Sequence, residues 1–430
     1  MDKGMTKDLL AFIGRCPSNF HTAAAVRREL EGYEILHEGE VWNLRPGGRY
    51  CLTRNGASLI AFRVPAGEWQ GFLLAAGHSD SPTFQIKTGG EVQGPENYLR
   101  LNTERYGGML YDSWLDRPLS AAGRLLVRTD RGVESRLVEI DRDLLLIPRV
   151  AIHMNRRANE GMAYDPKQDL LPLLGLAGGP SLLSLAAECA GVREEDVAAS
   201  ELSLYVREPG TIWGAAGEFV SAPRLDDLQC VYAALRGFLS ASEGRGLPVL
   251  CVFDSEEVGS ATRQGADGTL LRDVLGRICA ALGRELPVEI HHSFLVSADN
   301  AHAVHPNHPE LADPQNRPRL NGGVVIKHSA SRRYTTDAVT EAVFAELCRR
   351  AGVPVQHFAN RSDMAGGSTL GNIVGSHVSL NTVDVGLGQL AMHSAYETAG
   401  ALDTAYMAEA LKTFYSAGLT VRGDGEIEIH

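Results

Sequence analysis

The sequence predicts an α/β fold: one sheet with helices on both faces, interrupted by an inserted, mainly β unit. Three observations carry this. From residue 221 onward helix-like and strand-like stretches alternate, as they do when helices cover a sheet on both sides. Two runs, Gly71–Ala76 (GFLLAA) and Val249–Phe253, are apolar without a break, the mark of strands buried on both faces. Residues 92–220 lack that alternation and hold short β-like segments. With 430 residues the chain exceeds one ordinary core. We therefore expect one discontinuous α/β domain from residues 1–91 and 221–430, with residues 92–220 inserted as a β domain.

The elements follow in order. Residues 6–31 read as two helices, with Asn19 capping the second. Arg49–Thr53 and Ala57–Val64 flank Asn55-Gly56, a strong hairpin-turn dipeptide. The strand at Gly71–Ala76 stops at Gly77-His78-Ser79-Asp80. Within the insert, Leu125–Arg128, Ser135–Ile140 and Leu202–Val206 read as antiparallel strands. A polar loop, His153 to Asp169, and a Gly/Pro-rich stretch, Leu174–Pro180, lie between them. Downstream, Leu225–Leu239, Ala338–Ala351 and Asp403–Ala417 read as helices, and Val249–Phe253, Phe294–Ser297, Val353–Phe358 and Val378–Val385 as strands.

Composition excludes several partners. The formal net charge is -12, so the surface repels nucleic acid and anionic lipid. No apolar run approaches the roughly 18–20 residues of a membrane span. The first stretch, MDKGMTKDLLAFIGRC, has no signal-peptide apolar block. Seven scattered cysteines without a CxxC pair point to free, buried thiols in a reducing cytoplasm. Any metal is then held by His, Asp and Glu.

Five clusters of such residues fall where strands end or helices begin: His78 with Asp80, Asp226-Asp227, Glu256-Glu257, Asp299, and His393. Ligands of open α/β sheets sit at the carboxyl ends of strands. Each cluster alone has a bland reading, as a capped loop, a dipole-favoured helix start or a solvated turn. Their shared topological position is what points to chemistry. Divalent ions take imidazole and carboxylate ligands at about 2.0–2.2 Å. Two ions about 3.5–4 Å apart need a shared carboxylate, and a carboxylate off the metal can take a proton from water. An acid beside a histidine ligand orients its ring, which suits Asp80. By spacing alone the base and the ligand within Glu256-Glu257 stay undivided, and His302 and His305 remain eligible ligands.

At these residues the chain resembles the aspartyl aminopeptidase family. The resemblance rests on Gly77-His78-Ser79-Asp80-Ser81-Pro82, Ala222-Pro223-Arg224-Leu225-Asp226, Asp254-Ser255-Glu256-Glu257-Val258-Gly259-Ser260, Ser297-Ala298-Asp299-Asn300-Ala301-His302-Ala303-Val304-His305-Pro306-Asn307 and Met392-His393-Ser394, in that order, and covers nearly the whole chain. It implies a zinc-exopeptidase-like α/β/α sandwich with an inserted dimerisation domain. It implies two zinc ions per subunit, with cobalt or manganese as substitutes. His78 and Asp299 are then terminal ligands of one ion, Glu257 and His393 of the other, and Asp226 the bridge. Glu256 is the implied general base and Asp80 its helper behind His78. His153 resembles a dimerisation-loop histidine that reaches a neighbour's site. Lys327 and Tyr334 resemble pocket residues, with His302 as a pocket wall and His305 structural. A pocket lysine favours an acidic first residue.

The implied reaction is hydrolysis of the N-terminal residue, with acidic Asp and Glu as candidates, from short peptides with a free N-terminus. The implied assembly is a dodecamer built from dimers. The chain departs from the family pattern at Ser394-Ala395-Tyr396-Glu397, at Ala365-Gly366-Gly367-Ser368 and at Asp227. Two other functions compete: a dinuclear hydrolase of N-acyl amino acids or other amides, and a non-catalytic oligomeric cargo protein.

Overall fold

The computed structural model describes residues 3–430. Four parallel strands form the centre of a 13-stranded sheet, in the order Leu247–Phe253, Phe72–His78, Phe294–Ala298 and Asn381–Leu390. Successive side chains point to opposite faces. Leu73 and Ala75 thus join one core with the helices Leu225–Ser240, Ala338–Ala351 and Asp403–Ser416. Phe72, Leu74 and Ala76 join the other with Leu270–Ala281 and Leu370–His377. Burial on both sides is why GFLLAA carries no polar residue.

The hairpin Arg49–Arg54/Ser58–Arg63 extends this centre antiparallel to Leu247–Phe253. Its turn holds Asn55 at φ 56° and Gly56 at φ 68°, a left-handed pair that Asn-Gly tolerates. On the far side Asn381–Leu390 outlasts its parallel neighbour. Its second half pairs antiparallel with Val324–His328, which runs parallel to Val355–Ala359. Glu34–Ile35 beside the hairpin, Ala301–His302 beside Asn381–Leu390, and Glu397–Gly400, Phe219–Ala222 and Thr211–Trp213 complete the sheet.

A separate six-stranded sheet runs Gly132–Glu139, Leu119–Thr129, Val197–Val206, Thr83–Gln93, Tyr98–Tyr106, Leu173–Leu176. It closes over Phe84, Leu101, Trp114, Leu125 and Leu204, with the helix Leu182–Ala190 adding Leu185.

Several sequence expectations shift. This sheet begins at Thr83 rather than 92, and residues after Val206 return to the large sheet before 221. Part of the Gly/Pro-rich stretch forms its edge strand, because Leu173–Leu176 finds a partner in Tyr98–Tyr106. Ser18, not Asn19, occupies the cap position; Asn19 is already helical and donates its amide to Asp254 at 2.9 Å. All seven cysteines are free, but Cys189 is exposed. No helix among the described residues is long and apolar enough to cross a membrane.

Candidate metal centre

The central parallel strands end at one edge, and the sequence places an acid or a histidine at each exit. His78 is the last residue of Phe72–His78, level with Phe253 on the next strand. Beyond Phe253 the turn Glu256–Val258 carries Glu256 and Glu257. Asp299 follows Phe294–Ala298 directly. His393, at φ 66°, lies in the loop between Asn381–Leu390 and Glu397–Gly400. Asp226 sits where the helix Leu225–Ser240 begins, but its backbone is not yet helical and the Asp226-Asp227 peptide is cis. Neither carboxylate serves as a helix cap: Asp226 faces the two histidines and Asp227 accepts the His78 N–H.

The side chains converge into two groups that share Asp226. In one, His78 Nε2 lies 3.4 Å from Asp226 Oδ1 and 3.9 Å from Asp299 Oδ1. In the other, His393 Nε2 lies 3.4 Å from Asp226 Oδ2 and 3.4 Å from Glu257 Oε2. Two ligands of a tetrahedral zinc, each about 2.0–2.1 Å away, stand about 3.3–3.4 Å apart. Asp226 Oδ1 and Glu257 Oε1 are buried yet accept no hydrogen bond among the described residues. A buried carboxylate oxygen without a donor is costly unless a cation faces it. The residues present therefore fit metal ions. Glu256 stands with His78 and Glu257 as a further set of ligand atoms within 4.8 Å of one another.

The electrostatics follow from crowding acids around two imidazoles. Burial alone would raise the Asp226 carboxyl, but His393 and His78 outweigh it and hold it well below the usual carboxylate range. Burial lowers His78 less than Asp226, Asp299 and Asp80 raise it. Burial pushes Glu256 up to about 8, with Asp299 and Asp80 adding to it against His78. Glu257 is raised as well, by burial and then by Asp226. In both glutamates burial thus favours the neutral carboxyl.

Around the cluster, four groups fix its parts. His78 Nδ1 bonds the backbone carbonyl of Asp80 at 3.0 Å, which leaves Nε2 free to face the cluster. The Asp80 carboxylate is 3.5 Å from that ring and does something else. It accepts the backbone N–H groups of Glu256 and Glu257 at 3.1 and 3.2 Å, and the Tyr106 hydroxyl at 2.7 Å. Asp80 thus anchors the acidic turn as well as lying behind His78. Asp227 accepts the His78 N–H at 3.1 Å. Gly77 permits that approach, since a Cβ there would stand 2.6 Å from the Asp227 carboxylate. The fully buried Glu397 accepts the N–H of Asp226 at 3.0 Å and of His393 at 2.7 Å.

Sequence reasoning assigned no role to Tyr106, Asp227 or Glu397. Tyr106 comes from the small sheet, and nothing in its neighbourhood in the sequence signals that contact. Glu397 had a signal: an acid four residues after a candidate histidine ligand.

A cavity of about 330 Å³ opens on the cluster, lined also by Lys327, Tyr334, His302, Phe358 and Met392. Lys327 is buried, so it is not a snorkelling surface lysine. Its ammonium lies 3.4 Å from Asp299, donates to the Asn300 carbonyl at 2.8 Å and stands 5.3 Å from the Tyr334 ring centre. Burial would lower its pKa, but Asp299 raises it further. His302 meets Phe358 edge to face at the cavity mouth. His305 is exposed and accepts the Asn307 N–H. His153 lies in an exposed turn of the insert and does not line this cavity.

Three comparisons bear on this geometry. Residues 12–415 match the family model described as "Aminopeptidase I zinc metalloprotease (M18)". A "Probable M18 family aminopeptidase 2" of Clostridium acetobutylicum is 42% identical over 424 residues, covering 95% of this chain and 98% of that protein. Among solved structures, the chain resembles one in the Ape4 and Nbr1 complex (TM-score 0.92, 34% identity, 96% of this chain and 85% of that one). It also resembles the yeast mApe1 dodecamer (TM-score 0.84, 28% identity, 96% of each chain).

Proposed function

The chain belongs to the M18 family of zinc metallo-aminopeptidases, and on that premise we propose how its acids and imidazoles release the N-terminal residue of a peptide. His78, Asp226, Asp299, Glu257 and His393 would hold two zinc ions, His78 and Asp299 serving one, Glu257 and His393 the other, and Asp226 common to both groups. Cobalt or manganese can substitute. One observation supports this above others: Asp226 offers a different oxygen to each histidine, 3.4 Å away in both cases.

Bound zinc supplies Lewis-acid polarisation of the scissile carbonyl and an acidified water. Glu256 takes the proton of the attacking water on a carboxylate oxygen and passes it to the leaving amine. Asp80 holds the backbone of Glu256 and Glu257 in place for that transfer. Lys327, reaching the cavity beside Tyr334 and His302, favours an acidic side chain, Asp or Glu, at the first residue. Its existing contact with Asp299 sets a competing partner for the same ammonium.

The chain works as a homo-oligomer in the cytoplasm, its dimers formed through the small-sheet unit between Thr83 and Val206 and assembled into a dodecamer like that of mApe1. In support, the turn around His153 exposes Val150, Ile152 and Met154, an apolar group that a partner would cover. There His153 reaches the neighbour's site and stabilises the developing oxyanion.

Zinc analysis with paired substrates tests the reading. Wild type should hold two zinc ions per chain and cleave aminoacyl anilides but not their N-acetyl forms. Asp226→Asn should hold fewer than two and lose turnover. Equal cleavage of the acetylated substrates, or full zinc content in Asp226→Asn, would sink it.

A further inference from the structure

On the other face of the cavity wall lies a second group of metal-ligating side chains. Val324–His328 and Val355–Ala359 pair in parallel with Lys327 opposite Phe358, and these two line the catalytic cavity. One residue along each strand, His328 and His357 share the opposite face. The helix Ala338–Ala351 brings Glu341 to them from its first turn.

The three ligand atoms form a compact triangle. His328 Nε2 lies 3.3 Å from His357 Nδ1, while Glu341 Oε1 lies 3.5 Å from His357 Nδ1 and 3.9 Å from His328 Nε2. These edges match those of the catalytic cluster. A circle through three atoms so spaced has a radius of about 2.1 Å, close to a zinc–imidazole or zinc–carboxylate bond. Ser329, Arg332 and Thr336 line an open cavity with His328 and Glu341, so solvent can supply a fourth ligand.

We propose that His328, Glu341 and His357 form a separate binding site for one borderline divalent cation of the zinc, cobalt or nickel class. Two imidazoles, one carboxylate and an open position suit such ions, whereas magnesium and calcium prefer oxygen ligands. The ligands come from two strands and a helix, so an ion there clamps three elements. The clamped strands are those whose inner faces carry Lys327 and Phe358.

Calorimetric titration of zinc into protein whose catalytic cluster is already loaded tests this. Wild type should take up one further equivalent per chain and rise in melting temperature, and magnesium should give neither change. His357→Ala and Glu341→Gln should lose the extra equivalent while keeping basal activity and the zinc already bound. Should His357→Ala misfold, the part-exposed Glu341→Gln carries the test. No further uptake by wild type at millimolar zinc would leave only a hydrogen-bonded histidine pair and overturn the proposal. Uptake undiminished in the variants would overturn it too. The zinc retained before titration reports the catalytic cluster separately, so the two readings fail independently.

Discussion

Glu397 gives the sharpest test of how the centre is held, because a buried carboxylate there touches no proposed metal ligand except through the backbone. It accepts the N–H of Asp226 at 3.0 Å and the N–H of His393 at 2.7 Å, and is 2% exposed. Replacing it with alanine strands three donors, those two N–H groups and the Gln389 side-chain amide that donates at 3.3 Å, at about 1–3 kcal/mol each, hence a loss of about 3–9 kcal/mol. Water entering the vacated space should keep the loss in the lower half of that range. Glutamine keeps an acceptor for one N–H and turns an amide N–H toward the other, so Glu397→Gln should lose about half as much.

Metal modulates the effect. Burial, then Asp226, push the Glu397 carboxyl up to about 8 in the metal-free chain, so much of it is protonated at neutral pH. On the proposed reading, zinc held by Asp226 would favour the ionised form, and the penalty would then be largest in the loaded state. Chelator competition should show zinc affinity falling about 10–100-fold in Glu397→Ala, with Glu397→Gln between it and wild type. Urea unfolding of the loaded protein should show the same order. Wild-type zinc affinity and an unchanged urea midpoint in Glu397→Ala would refute the claim that these two bonds position the ligands.

Four further outcomes follow. Glu256→Gln should keep its zinc and lose turnover by about 10²–10⁴-fold, and near-normal rates would remove Glu256 as the base. Lys327→Met should raise KM for Asp and Glu substrates at least about tenfold while sparing neutral ones. An equal fall for all substrates would mean that Lys327 serves Asp299 alone. Mixed oligomers of His153→Ala and Glu256→Gln chains should recover activity that neither shows alone, because a Glu256→Gln chain can lend His153 to an intact neighbouring site. Mixtures as inactive as their parents would place His153 outside the reaction.

The fourth concerns pH. Burial pushes Asp403 from its ordinary 3.8 up to about 7, against the N–H groups of Asn321 and Gly323. The folded chain then holds a proton that the unfolded chain has released, so stability falls as pH rises through that interval. The urea midpoint of wild type should drop relative to Asp403→Asn between about pH 4 and 7, and parallel profiles would contradict this.

Much of the fold was legible because local physics wrote it into the chain. GFLLAA and VLCVF had to be buried on both faces, so both read as central strands. Asn55-Gly56 tolerates a left-handed turn, so the hairpin could be placed to within a residue or two. The acids and histidines that converge were also legible, each marked by its position just past a buried strand or at a helix start. What periodicity could not supply was pairing. Leu173–Leu176 became a strand only because Tyr98–Tyr106 offered an edge, and the small sheet took in Thr83–Gln93 for the same reason.

By itself, then, the sequence determined which acids and histidines stand at strand exits and helix starts, and roughly where each leaves its strand or enters its helix, since burial and turn preference act over a few neighbouring residues. Tertiary structure alone decided what those side chains meet. Asp226 turns one oxygen to His78 and the other to His393, Asp80 grips the Glu256-Glu257 turn, and Tyr106 arrives from another sheet. Contacts between residues from 26 to 177 positions apart arise from sheet order and helix placement, and no local pattern in the chain encodes those distances.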